Sequence, residues 1–123
     1  FIAFFKSVSK LKIKTNNILK RIRSKNKIIH GYGASTKGNI LLQYFGINTD
    51  QVSYIADRNP EKDGLHTPGT KIKIISEKKS RNLKPDYYLV LPWHFKKEII
   101  KREKKIMKKG TKFIFPLPKF EIY

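Results

Sequence analysis

Apolar residues near the start of the chain recur three and four positions apart: Phe1, Phe5, Val8 and Leu11, then Ile18, Leu19 and Ile22. That spacing predicts helix through residues 1–25. The polar run Thr15-Asn16-Asn17 interrupts the stripe and marks where this helix could break, with Asn16 or Asn17 able to cap a second helix running to Arg23. From Lys27 the pattern shortens. Ile28-Ile29-His30 enters Gly31-Tyr32-Gly33 as a buried strand meeting a glycine turn. Ser35 or Thr36 then caps a helix from Lys37 to Phe45 that Gly46 stops. Further strands are expected at Val52–Ala56, Lys71–Ile75, Tyr87–Leu91 and Thr111–Phe115. Two helices intervene, one capped by Ser76 and reaching Leu83, and one from Phe95 to Lys109 ending at Gly110. Turn-rich Asp57-Arg58-Asn59-Pro60 and the prolines at 92, 116 and 118 close the strands. Continuous apolar strands alternating with helices predict an α/β fold. Its core is an open parallel sheet of four or five strands with helices on both faces, preceded by an N-terminal helix.

Length and composition narrow the class. At 123 residues with 39% hydrophobic positions, the chain fits one domain with one core. Cysteine is absent, which excludes a disulfide framework, a thiolate zinc site and a thiol nucleophile. No apolar run approaches the ~20 residues needed to span a bilayer. The opening Phe1-Ile2-Ala3-Phe4-Phe5 is too short for a signal segment. With no initiating Met, the sequence is expected to be part of a longer protein.

Charge changes the picture less than its size suggests. The net formal charge is +19, from 28 basic and 9 acidic residues, and no acid precedes Asp50. Such a balance suits phosphate binding and admits a basic nucleic-acid-binding module. Yet the 28 comprise 23 Lys and 5 Arg, whereas base and phosphate recognition favours the bidentate Arg fork. Lys96–Lys109 reads as a solvated helix face around Ile99, Ile100, Ile106 and Met107. The field would attract any anionic ligand.

In an open parallel sheet ligands lie beyond the carboxyl ends of the strands. The distinctive residues gather there: Gly31, Tyr32 and Gly33 after the first strand, Asp57 and Asn59 after the second, Trp93 and His94 after the fourth. Gly31-Tyr32-Gly33-Ala34-Ser35-Thr36-Lys37 leads straight into a helix N-terminus, whose free N–H groups and dipole suit a phosphate. Lys37 adds a full positive charge. It is no Walker A loop, because Ser or Thr does not follow Lys37-Gly38. Nor is it the dinucleotide fingerprint, because the third glycine, Gly38, comes five positions after Gly33 and not three. Asp57 stands near where a ribose-binding acid would lie. Trp93 is placed either to stack on a base or sugar or to pack in the core, and His94 either lines the site or caps a helix. His30 reads as a core residue, and the three histidines are too scattered for a metal site. No catalytic constellation is present in the sequence.

Taken together, Gly31-Tyr32-Gly33-Ala34-Ser35-Thr36-Lys37-Gly38-Asn39-Ile40-Leu41-Leu42 resembles the signature of the C-terminal domain of NDP-hexose C-methyltransferases. So do Asp57-Arg58-Asn59-Pro60, Lys62, Gly64, Pro68-Gly69-Thr70, Pro85-Asp86-Tyr87, Leu91-Pro92-Trp93, Glu98, Gly110-Thr111-Lys112-Phe113 and Pro116-Leu117-Pro118. The resemblance runs nearly the length of the chain. It implies that residues 1–26 are a connecting helical segment and residues 27–123 the Rossmann-like C-terminal domain of a larger enzyme. An upstream domain would bind S-adenosylmethionine and supply the base. This domain would hold a nucleotide-sugar acceptor, such as a dTDP-linked keto-sugar, and the methyl would go to a carbon acidified by the neighbouring ketone. Cytoplasmic location suits that chemistry. The sequence departs from the family pattern at Ser35-Thr36 (commonly Pro-Ala), His94 (commonly Asn) and Lys73 (commonly Pro).

The expectation is therefore a substrate-binding domain with the nucleotide diphosphate at Gly31–Lys37, sugar or ribose hydroxyls at Asp57 and Asn59, and Trp93-His94 at the rim. Alone it should bind no cofactor and methylate nothing. The alternatives are a nucleic-acid-binding module, which the lysine-rich balance does not favour, and an NAD-type dinucleotide-binding domain, which the glycine spacing opposes.

Overall fold

A computed structural model describes residues 2–123, with side chains from Lys6 onward. In chain order the elements are α1 (Ile2–Ser24), β1 (Ile29–Tyr32), α2 (Thr36–Phe45), β2 (Tyr54–Asp57) and a short 3₁₀ turn at Pro60–Lys62. Then come β3 (Lys73–Ser76), α3 (Glu77–Asn82), β4 (Tyr87–Val90) and a 3₁₀ turn at Trp93–Phe95. The chain closes with α4 (Lys96–Arg102), α5 (Lys104–Lys108), β5 (Lys112–Phe115) and β6 (Glu121–Ile122). The sheet has six strands in the order β3-β2-β1-β4-β5-β6, with β1 to β5 parallel and β6 antiparallel against β5. This is the Rossmann-like arrangement, in which the strand order reverses between β1 and β4.

Strand alternation sends side chains to two cores. Ile29, Ile55, Ile74, Leu89 and Ile114 pack with Leu19 and Ile22 of α1 and with Leu41, Leu42 and Phe45 of α2. Tyr32, Tyr88, Val90, Phe113 and Phe115 face the other way, against Ile99 of α4 and Ile106 and Met107 of α5. Burial on both faces is why each strand reads as a continuous apolar run.

Three expectations are corrected. The N-terminal segment is one 23-residue helix. The Asn16 amide does not cap a second helix, because its Nδ2 donates sideways to the carbonyls of Phe45 (2.7 Å) and Lys12 (3.1 Å). The expected Phe95–Lys109 helix is interrupted at Glu103, whose side chain turns into the protein. The sheet gains β6, which forms after the prolines at 116 and 118 and continues through a reciprocal pair of backbone bonds between Phe113 and Tyr123, both 2.8 Å. No helix among the described residues is long and apolar enough to cross a membrane.

Candidate functional site at the carboxyl edge of the sheet

The parallel register brings the ends of β1, β2 and β4 level, since Tyr32 pairs with both Ala56 and Val90. Backbone bonds continue past the strands, from Gly33 N–H to the Ala56 carbonyl (2.8 Å) and from Leu91 N–H to the Tyr32 carbonyl (3.1 Å). Gly33 adopts φ +84°, and an added Cβ would meet Pro92 Cδ at 2.8 Å, so the turn requires glycine on both counts. Gly38 has a different reason. A Cβ there would lie 2.6 Å from Leu91 Cβ, so its absence lets α2 settle onto the end of β4. That close helix-to-strand packing is the work of the third glycine in a dinucleotide loop, performed here two positions later.

Ser35 caps α2, its Oγ accepting from Gly38 N–H at 3.0 Å. The Thr36 and Lys37 N–H groups of the first turn have no hydrogen-bond partner among the described residues, and both residues are exposed. The helix N-terminus therefore presents two free donors and the positive end of its dipole, with the exposed Lys37 adding a positive charge to the same turn.

Asp57 also has a structural role that the sequence does not reveal. Its Oδ2 accepts from Ala34 N–H (2.7 Å) and its Oδ1 from Asn59 N–H (2.8 Å). The carboxylate thereby ties the β1–α2 loop to the β2 turn. Asn59 in turn caps Pro60–Lys62, its Oδ1 accepting from Glu61 N–H at 3.0 Å. Each Asp57 oxygen accepts one N–H and retains a further lone pair, so bracing the loop leaves the carboxylate able to accept from a ligand hydroxyl.

The predicted residues fall on three surfaces. Tyr32, Gly33 and Asp57 line a cavity of about 280 Å³ with Arg58, Pro92, Phe95, Glu98 and Arg102. Ala34, Ser35 and Thr36 line a second, of about 360 Å³, on the α2 side of the sheet. Lys37 and Trp93 border an apolar groove of about 640 Å³ between α1, α2 and Leu117-Pro118. Gly31 sits inside the sheet, where a Cβ would overlap Ile55, and contributes no ligand surface. His94 is exposed and its ring rests on Phe95, 4.3 Å between centroids. His30 is buried, with Nδ1 2.7 Å from Ser80 Oγ, and burial pushes its pKa down to about 4.

Sequence reading missed the charged cluster behind the first cavity. Glu103 is buried and accepts from Tyr32 OH (2.6 Å) and from Arg81 through both oxygens (3.0 and 3.1 Å). Arg102 also donates to Tyr32 OH. Glu77 binds Arg58 at 3.4 Å and Arg81 at 3.6 Å. Burial, with the Glu103 carboxylate beside it, raises the Tyr32 phenol well above its ordinary pKa, so Tyr32 stays protonated as a donor. The one available signal was composition: with so few acids, two glutamates within reach of three of the five arginines mark a structural knot.

Residues 1–118 match the family model described as the C-methyltransferase C-terminal domain. The chain belongs to that family. Among its curated relatives is C-methyltransferase NovU of Streptomyces niveus, 33% identical over 109 residues, which are 89% of this chain and 26% of the relative. The chain thus spans about a quarter of the length of the relative it matches.

Proposed function

We propose that this chain is the acceptor-binding domain of an S-adenosylmethionine-dependent C-methyltransferase acting on a nucleotide-linked keto-sugar. The observation that carries the reading is the exposed first turn of α2 at the point where the strand order reverses. The unpartnered N–H groups of Thr36 and Lys37, the helix dipole and the Lys37 ammonium suit a diphosphate. Asp57 and Asn59 support it indirectly, by fixing the loop that carries these donors.

The sugar would then extend toward the cavity lined by Tyr32, Arg58, Phe95 and Arg102. S-adenosylmethionine, held by another domain, supplies the methyl group, and a base outside this chain removes the proton from the carbon beside the ketone. The residues here bind and orient the acceptor. The apolar groove bordered by Leu11, Ile40, Tyr44, Trp93 and Leu117 supports the partnership, since docking of the methyl-donor domain would cover it. By itself the 123-residue chain should transfer no methyl group.

Calorimetric titration with dTDP tests the reading. Lys37→Ala should weaken dTDP binding about tenfold, the worth of one charge-assisted contact of about 1.4 kcal/mol. Unchanged affinity would remove the phosphate role from α2. The nucleic-acid alternative predicts that Lys37→Ala is one lysine among many, with binding to duplex DNA that fades steeply with salt.

A further inference from the structure

A separate cavity lies at the opposite, amino edge of the sheet. It holds about 690 Å³ between the ends of α3 and α5, beside the residues that lead into β4 and β5. Pro85, Ile106, Gly110 and Thr111 supply its uncharged lining. The volume falls within the range of small-molecule sites (~300–1,000 Å³).

Its walls carry one sign of charge. Arg81 and Lys84 stand on the α3 side, and Arg102, Lys105 and Lys109 on the α4–α5 side. The two acids at the cavity are already engaged. Glu103 is buried and accepts from Tyr32 OH and Arg81, while Asp86 Oδ2 accepts from Ile28 N–H at 2.8 Å. Glu103 also pairs with Arg102 at 3.8 Å, so one buried carboxylate fixes both guanidinium groups in advance of any ligand. Lys84, Lys105 and Lys109 are exposed and form no ion pair among the described residues. The cavity at the carboxyl edge is different in kind, because there Arg58 and Arg102 share the lining with Asp57, Glu77 and Glu98.

Helix ends alone do not account for these cations. A last-turn cation offsets the negative end of its own helix, which covers Arg81 on α3 and Lys105 on α5. Lys84 and Lys109 follow those last turns. Lys84 moreover adopts φ +53°, the left-handed region in which a chain leaving a helix favours glycine. On the other wall the chain does use glycine for such an exit, at Gly110 with φ +105°. A cation thus occupies a position at the cavity that backbone conformation alone would give to glycine.

We infer that this cavity binds an oligophosphate, a ligand with two or more linked phosphoryl groups, at a site separate from α2. Cations on both walls suit negative charge spread along a ligand more than a single phosphate. The two guanidinium groups supply fixed donors and the three lysines mobile ones. The inference stands independently of the diphosphate reading of α2.

The test is calorimetric titration with inorganic tripolyphosphate and with inorganic phosphate, using the 123-residue chain carrying Lys37→Ala to weaken the α2 site. Tripolyphosphate should bind one-to-one and roughly tenfold more tightly than phosphate. Adding Lys105→Ala and Lys109→Ala should weaken it about tenfold, from about threefold for each exposed charge. Adding Lys10→Ala and Lys20→Ala, which removes the same charge from exposed positions on α1, should leave the affinity unchanged. Lys84→Gly separates binding from folding. It should weaken tripolyphosphate about threefold while leaving Tm unchanged or raised, because glycine relieves the left-handed backbone. Equal losses in the two double variants would overturn the site in favour of a general field. Equal affinity for phosphate and tripolyphosphate would overturn the oligophosphate class. Tripolyphosphate binding to the parent that Lys37→Ala abolishes would place the anion at α2 alone and overturn the inference, as would no binding to either.

Discussion

His30 gives the fold a built-in pH dependence. Its ring is 1% exposed, packed edge-on against Tyr54 and Tyr88, with Ser80 Oγ 2.7 Å from Nδ1. Ser80 Oγ is also 2.6 Å from Tyr88 OH, so the Tyr88 hydroxyl donating to Ser80 and the Ser80 hydroxyl donating to Nδ1 satisfies all three groups with a neutral imidazole. Burial lowers the His30 pKa from 6.5 to about 4. The unfolded chain therefore binds more protons than the folded one between these values, and stability rises with pH across that window. The contribution is complete above pH 6.5 and is lost as pH falls toward 4. At pH 5 the loss relative to pH 8 is about 2 kcal/mol, from the two pKa values and the linkage relation. Urea unfolding at pH 8 and pH 5, for the parent and for His30→Gln, isolates this group from the carboxylates, which titrate in both proteins. The parent should lose about 2 kcal/mol more than the variant between the two pH values. An equal loss in both would show that His30 does not titrate as its burial requires.

Other consequences follow from the same packing. Gly38→Ala should gain up to about 1 kcal/mol of helix propensity yet lose more to the 2.6 Å overlap with Leu91 Cβ, for a net destabilisation of about 1 kcal/mol in urea unfolding. Glu103→Ala removes the acceptor of both Tyr32 and Arg81 and should cost about 3 kcal/mol, read by the same assay. Asp57→Ala frees two backbone donors and should lower stability by about 2 kcal/mol, with dTDP affinity falling because the Ala34–Lys37 loop loses its anchor. Stability unchanged by this substitution would show that the two bonds do not brace the loop.

What could be read from the residues depended on the range of the interactions. The α2 boundaries were legible because Ser35 and Gly46 act on their immediate neighbours. Asp57 was correctly placed at the sheet edge by strand pattern. Its commitment to Ala34 was hidden, because that bond joins residues 23 apart. Glu103 offered no local sign of burial. It sits in a lysine-rich helical pattern and breaks it through Tyr32, 71 positions away. The two-residue β6 has too little sequence for any periodicity, and only pairing with β5 defines it. Lys37 and Trp93 were expected beside Gly33 because they are near it along the edge. The sheet itself separates them, since its two faces open into different surfaces.

The most direct measurement of the central claim is amide chemical-shift mapping of the ¹⁵N-labelled chain, titrated separately with dTDP, S-adenosylmethionine, NAD and a short DNA duplex at physiological salt. An acceptor-binding domain predicts saturable shifts with dTDP, largest at Thr36 and Lys37, and none with S-adenosylmethionine or NAD. Saturable binding of S-adenosylmethionine or NAD at the Gly33–Lys37 loop, or shifts with DNA alone spread over the lysine surface, would contradict the account.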